Sequence, residues 1–94
     1  MEIDPHLMCI ICIHVFLGQR PVRLAVKDKN EWCLLCGEMH ADLPDSYRVV
    51  GIGHELAKDP TISEILDLPS GWQAERPGVW QVWKRSLIPS EESN

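Results

Sequence analysis

The clearest structural signal in the chain is the segment 59–71, which reads DPTISEILDLPSG. Asp59 can accept hydrogen bonds from the free amides of a first helical turn, and Pro60 has no amide hydrogen to lose there. We therefore predict a helix from Pro60 to about Leu66. Its apolar stripe follows the spacing i, i+3, i+4 and consists of Ile62, Ile65 and Leu66. The side chains expected to face water are Thr61, Ser63, Glu64 and Asp67.

Upstream of this helix, the pattern predicts three strands joined by turns. The first covers 8–17, is rich in β-branched residues and ends at Gly18, and the second covers 22–27 with alternating apolar residues. A polar hairpin loop at 28–30 leads to a third strand, 31–36, in which Trp32, Leu34 and Cys36 share one face. We expect these strands to form a meander, with the second strand paired to the first.

The remaining segments complete an α+β domain. A brief strand is expected at 47–50 and a short helix at 51–58, with Ile52, Leu56 and Ala57 facing inward. Two further strands, 72–76 and 79–84, are joined by Pro77 and Gly78, which favour a tight turn. The predicted fold class is therefore α+β: a mostly antiparallel sheet of about five strands, a meander plus a C-terminal hairpin, with one or two short helices on one face.

Length and composition favour a single globular domain. Ninety-four residues allow one hydrophobic core, and 45% apolar with 24% charged residues is an ordinary globular balance. We expect one domain over 1–94, with a core at about 8–86 and a flexible tail at 87–94.

The charge balance bears on partners and location. Fourteen acidic and nine basic residues give a formal charge of −5, which disfavours nucleic acid as a ligand and favours a basic partner. The apolar run 7–17 follows Glu2 and Asp4 rather than a basic segment, so it does not resemble an export signal, and it is too short to span a bilayer. We therefore expect a cytoplasmic protein without membrane contact, whose four cysteines remain reduced.

The cysteines allow two interpretations. Cys9 with Cys12, and Cys33 with Cys36, have C-x2-C spacing, but their spacers are strand residues whose geometry points the two thiols to opposite faces. The leading interpretation is buried thiols and no cofactor. The alternative is a small zinc-binding module. Its expected ligands are Cys12, His14, Cys36 and His40, with Cys9 or Cys33 as further candidates.

No catalytic motif is complete in the sequence. His54 and Glu55 begin a zinc-protease helix motif, but position 58 is Lys instead of the second His, and no nucleophile elbow is present. We therefore predict a non-enzymatic protein, although a pocket lined by His40, His54 and Glu55 would favour an enzyme. Since Trp80 and Trp83 would lie on opposite strand faces, one of them should be exposed and could anchor a partner.

Several separate segments together resemble one known family. They are Arg20-Pro21-Val22, Trp32 with Leu35-Cys36-Gly37-Glu38, Asp59-Pro60-Thr61-Ile62, Leu66 through Trp72, and Ala74-Glu75-Arg76. They resemble the bacterial immunity protein thirty-three family of polymorphic toxin systems, long catalogued as a domain of unknown function. The resemblance covers about residues 10–84 and implies an α+β domain that binds and neutralises a cognate toxin. It carries over no catalytic residue, and this chain departs from typical members in its cysteine-rich first strand.

The functional hypothesis is therefore a toxin-immunity protein that binds a basic toxin domain through an acidic surface. The acidic side chains are Glu38, Asp42 and Asp45 in a loop, and Glu55, Asp59, Glu64 and Asp67 on the helices, with Trp80 as the aromatic anchor. We expect a monomer or weak dimer. The alternatives are the zinc-binding module and a stand-alone bacterial domain of another role.

Overall fold

Six strands form one mixed sheet in a computed structural model, which describes residues 7–29, 31–38 and 44–89. The order across the sheet is β4-β1-β3-β2-β5-β6. The α+β class and the mostly antiparallel sheet are confirmed, with six strands instead of about five. The strands are β1 (Met8–Cys12), β2 (Leu24–Asp28), β3 (Glu31–Leu35), β4 (Tyr47–Gly51), β5 (Trp72–Glu75) and β6 (Lys84–Leu87).

The pairing of β1 differs from the prediction. β1 lies parallel to β3, with Cys9 opposite Trp32, and antiparallel to β4 on its other side. β2 lies between β3 and β5 and is antiparallel to both. The predicted meander is therefore wrong, although the hairpin between β2 and β3 is confirmed. Because Cys9, Ile11 and Cys12 are all buried, β1 has apolar side chains on both faces, which suits a central position in a sheet.

The first strand is also shorter than predicted, since the chain leaves the sheet after Cys12. A single helical turn, α1 (Ile13–Phe16), follows at once. The backbone then reverses: the amides of Gln19 and Arg20 both donate to the carbonyl of His14, at 2.9 and 3.2 Å. The strand preference of this apolar run is overridden because the turn buries Val15 in the core.

Two short helical segments follow β4: α2 (Ile52–Lys58) and a 3-10 helix (Pro60–Ile65). The predicted start at Asp59 and Pro60 is confirmed, because a side-chain oxygen of Asp59 accepts from the amide of Thr61 at 3.0 Å. The segment is a 3-10 helix that buries Ile62 and Ile65. Two predicted orientations are wrong: Thr61 is buried, and Ala57 is exposed. Another 3-10 helix spans Pro44–Ser46.

The C-terminal hairpin forms between β5 and β6, with Trp72 opposite Leu87. The predicted strand over 79–84 is wrong, because residues 76–83 form a longer connection of bends and turns in place of a two-residue turn. Trp83 packs against the core from this connection. β6 ends at Leu87, a position that the sequence assigned to a tail. No helix in the described ranges has the length and apolar character needed to cross a membrane.

Candidate functional site

An open cleft of about 530 Å³ lies where three segments meet: the connection from α1 to β2, the end of α2 with the start of the following 3-10 helix, and the loop before β6. Four charged side chains, from Arg20, Glu55, Lys58 and Asp59, also line it. A cleft with apolar walls and few charged groups suits one inserted side chain better than a flat contact. The apolar walls come from Val15, Pro21, Val22, Pro60, Ile62, Val79 and Trp80.

Trp80 forms the exposed rim of this cleft. It is 81% exposed and its backbone has a φ of 71°, in the left-handed region that bulky residues rarely adopt. Such a conformation costs free energy, and it recurs in proteins where function requires a side chain at a particular place. The prediction that Trp80 or Trp83 would be exposed is confirmed, with Trp80 outside and Trp83 packed inward.

Glu55 supplies a nearly buried carboxylate to the cleft. Its side chain is 3% exposed, and the Lys58 ammonium lies 3.7 Å from its Oε2 atom. Lys58 itself is about half exposed, so much of its charge is solvated. The sequence placed Glu55 on a solvent-facing helix surface, and this expectation is wrong because α2 turns Glu55 towards the sheet. A carboxylate removed from water gains strongly from a further cation.

Arg76 holds the walls of the cleft together from behind. Its side chain is fully buried and its Nη2 atom lies 2.7 Å from Oδ2 of Asp59. Nη1 donates to the Thr61 hydroxyl at 2.7 Å, and Nε and Nη2 donate to the Val22 carbonyl at 3.1 and 2.9 Å. The Thr61 hydroxyl also bonds the second oxygen of Asp59. These bonds tie the chain before β2 to the start of the 3-10 helix.

The same guanidinium also orders the loop that carries Trp80. The ring of Trp83 lies 4.1 Å from the Arg76 guanidinium carbon, and its indole NH donates to the Thr61 carbonyl at 3.3 Å. This cation–π contact and hydrogen bond fix one end of the loop. Arg76 is therefore a positioning residue for the rim of the cleft. Sequence reasoning missed it, because an isolated Arg after a strand gives no indication of its partners.

A second cluster of side chains lies at the carboxyl ends of β1 and β3. The ligand atoms of Cys12, His14 and Cys36 lie within 4.8 Å of one another, and the two thiols are fully buried. Cys12 ends β1 and Cys36 directly follows β3, so the parallel pairing brings both thiols to the same edge. The sequence named these three residues among the expected ligands of a zinc-binding module, and the structure brings His14 to the two thiols through the helical turn α1.

Arg20 connects the two sites, because it lines the cleft and its Nη1 donates to Cys36 Sγ at 3.8 Å. Burial raises the pKa of the Cys36 thiol, but hydrogen bonds with the Glu38 backbone, Arg20 and Cys12, and the Arg20 charge, bring that pKa below its usual value. Cys9 contrasts with Cys36, since burial and then the Glu55 charge raise its pKa to about 12. Sequence reasoning also missed Arg20, whose role depends on the reversal after α1.

Several of the acidic side chains predicted for partner binding lie close to basic side chains. Glu38 lies 3.6 Å from both Arg20 and Arg23, so its charge is largely compensated. Asp45 is exposed in the 3-10 helix before β4. Among the carboxylates predicted on the helices, Asp59 is bound to Arg76, and Asp67 lies 2.8 Å from Arg85. Asp42, and the predicted zinc ligand His40, lie outside the described residues.

Of the three residues whose pocket would have favoured an enzyme, His40 lies outside the described residues. Glu55 lines the cleft, but His54 is exposed and does not line it. Residues 1–85 match the model of the Imm33-like domain. Immunity-protein families of this kind are typically non-enzymatic. No curated protein and no solved structure matches the chain significantly.

Proposed function

The chain belongs to the Imm33-like domain family, an immunity family whose partner is a cognate toxin protein. From this premise we propose that the chain neutralises its toxin by receiving a basic side chain of the toxin in the cleft between Glu55 and Trp80. The observation that carries the proposal is the nearly buried carboxylate of Glu55 in an open cleft. The proposal keeps the basic partner that the net charge favours, but places its main contact in the cleft and not on the acidic loop.

Charge and apolar area in the cleft fit an Arg or Lys side chain. The methylene groups of such a side chain would lie along apolar residues such as Pro21 and Val79, while its cationic head would reach Glu55. A charge-assisted hydrogen bond between a cation and a desolvated carboxylate is among the stronger polar contacts at interfaces. Among the described residues that line the cleft, Arg20 is engaged by Cys36 and Glu38, and the half-exposed Lys58 comes only to 3.7 Å from Glu55, which leaves the carboxylate room for a further cation.

Trp80 supports the same binding mode from the rim. An exposed indole next to the entrance can cover the inserted side chain and exclude water, as aromatic residues do at interface hot spots. A cation close to the indole face gains a further attraction. The left-handed backbone at Trp80 would then be a strained conformation retained for binding.

The test is co-expression with a toxin domain encoded beside this gene, in a bacterial host whose growth the toxin stops. The wild-type chain should restore growth, and Glu55→Gln should weaken both rescue and the affinity measured by calorimetry, because the amide lacks the charge. Glu64→Gln is the matched control, since Glu64 is exposed and lies outside the lining of the cleft. Equal affinity for Glu55→Gln and wild type would exclude the cleft as the main contact.

Trp80→Gly separates binding from folding. Glycine adopts the left-handed backbone without the cost of about 1–2 kcal/mol that other residues incur, so the free energy of unfolding should stay constant or rise slightly. Affinity for the toxin should fall at least tenfold through loss of the indole. Val82→Gly is the matched control, since Val82 is 86% exposed and does not line the cleft. A variant at Trp80 that binds as tightly as wild type would contradict the role of the rim.

A further inference from the structure

We propose that Cys12, His14 and Cys36 form a binding site for one zinc ion, separate from the toxin-binding cleft. The inference starts from the topology of the sheet. In parallel strands the carboxyl ends meet at the same edge, and β1 and β3 are parallel. Cys12 ends the first of these strands, Cys36 follows the second, and α1 returns His14 to the same place.

The separation of the ligand atoms suits a metal of this size. Zinc binds thiolate sulfur at about 2.3 Å and imidazole nitrogen at about 2.0 Å, so the ligand atoms of a tetrahedral site lie about 3.5–3.8 Å apart. The three atoms here lie within 4.8 Å of one another, so small side-chain rotations bring them to zinc-binding distances. The backbone around His14 is itself hydrogen-bonded, because the His14 carbonyl accepts from the amides of Gln19 and Arg20.

The type of donor selects the metal. Two thiolates and one imidazole favour zinc over magnesium or calcium, which prefer oxygen ligands. Cys12 and Cys36 are fully buried, whereas His14 is partly exposed and leaves a route for the ion and for a fourth ligand. The fourth position would take water.

The surroundings also balance the charge of the site. The Arg20 guanidinium donates to Cys36 Sγ, which is the kind of outer contact that orients a metal-bound sulfur. The Glu38 carboxylate lies 3.6 Å from Arg20 and compensates its charge. Two thiolates on a divalent ion leave the metal and its sulfur ligands without net charge, so burying them carries a smaller electrostatic penalty than burying a bare ion.

The chain contains its own matched controls. Cys9 and Cys33 belong to the same C-x2-C pairs but lie outside the cluster. Cys9 is buried like the proposed ligands, and Cys33 is partly exposed. If the cysteines served only as apolar core residues, Cys9 and Cys12 would behave alike towards metal. A zinc site predicts that they differ.

The experiment uses the full chain, purified without chelator or a metal-binding tag, and measures zinc by mass spectrometry. We expect one zinc per chain in the wild type, Cys9→Ser and Cys33→Ser, and a loss of at least tenfold in affinity in His14→Ala and Cys36→Ser. Cobalt in place of zinc should give the thiolate charge-transfer absorption of a tetrahedral sulfur site. The proposal would be overturned if wild-type protein, after zinc is added and free metal is removed, retains only trace zinc and its cobalt form shows no charge-transfer band.

A second measurement needs no variant and so does not depend on how substitutions affect folding. Wild-type protein is alkylated with and without added zinc, and each cysteine is mapped by peptide mass spectrometry. Zinc should slow the modification of Cys12 and Cys36 and leave Cys33 unchanged. Protection of Cys33, or equal rates at Cys12 and Cys36 with and without zinc, would refute the site. Because these readouts involve no toxin, they stand or fall independently of the proposed neutralisation.

Discussion

Replacing Arg76 by Met tests whether the network behind the cleft stabilises the fold. Arg76→Met keeps an apolar stem but removes the guanidinium, so the Val22 carbonyl and the Oδ2 atom of Asp59 lose the hydrogen bonds that Arg76 donates. The Arg76 side chain is fully buried and that of Asp59 is 16% exposed. Removing one partner of a buried pair costs about 3–5 kcal/mol. For 94 residues, a stability of roughly 5–14 kcal/mol is typical, so this loss is a large fraction of the total.

Urea denaturation measures this loss, with the midpoint and slope followed by circular dichroism. Arg85→Met is the matched control, because Arg85 also bonds an aspartate, Asp67, but at the surface. Arg85→Met should lower the free energy of unfolding much less than Arg76→Met does, because exposed ion pairs contribute little to stability. The double variant Arg76→Met with Asp59→Asn should lose less stability than the sum of the single variants, by about 1–3 kcal/mol, because neither charge is then left buried alone.

Two results would refute this reasoning about Arg76. One is a loss below about 1 kcal/mol for Arg76→Met, which is the range of a surface pair. The other is additivity in the double variant, which would mean that Arg76 and Asp59 do not stabilise each other in the folded protein.

Two further predictions concern pH and backbone conformation. Because folding raises the pKa of Cys9 from 9.0 to about 12, the folded protein keeps this proton at a pH where the unfolded chain has lost it. The free energy of unfolding should therefore fall above pH 9, by up to about 1.4 kcal/mol per pH unit. Urea denaturation at pH 7–11 measures this decline, which should be shallower in Cys9→Ala. Parallel curves for the two proteins would show that the Cys9 thiol does not cause the decline. Gly37→Ala should lower the melting temperature more than Gly18→Ala. Both glycines have a left-handed φ, so the backbone cost of alanine is similar at the two positions. At Gly37 a new Cβ would lie 3.3 Å from the Cβ of Arg23, whereas at Gly18 it would meet nothing within 4 Å. Equal shifts in melting temperature would refute the role of the contact with Arg23.

Local chemistry was the most predictable part of this fold. The helix start at Asp59 and Pro60 depends on neighbouring residues alone, and the structure confirms it. The inward face of β3 likewise follows from alternation, since Trp32, Leu34 and Cys36 are all buried. The end of β1 was not predictable, because Ile13 and Val15 favour a strand locally and leave it for contacts made far along the chain.

The sites depended on such distant contacts and were predictable only in part. The ligand types of Cys12, His14 and Cys36 could be read from the sequence, but their grouping depends on the early end of β1 and on its parallel pairing with β3, which the sequence did not predict. The cleft could not be predicted either, because Glu55 and Trp80 are separated in sequence and meet only through the folding of the loop around Arg76. Charge counting placed Glu55 at the surface, since composition carries no information about which acidic residues a fold buries.

The central place of β1 has a consequence for synthesis on the ribosome. β1 precedes both of its neighbours in the chain, and its second neighbour, β4, begins only at Tyr47. Until that residue has emerged, one side of an apolar strand lacks its hydrogen-bonding partner, and closing this long-range pairing is slow compared with the β2–β3 hairpin. A nascent chain stalled before Tyr47 would present this open strand to any other extended segment nearby, which makes β4 the element that covers the open side of β1.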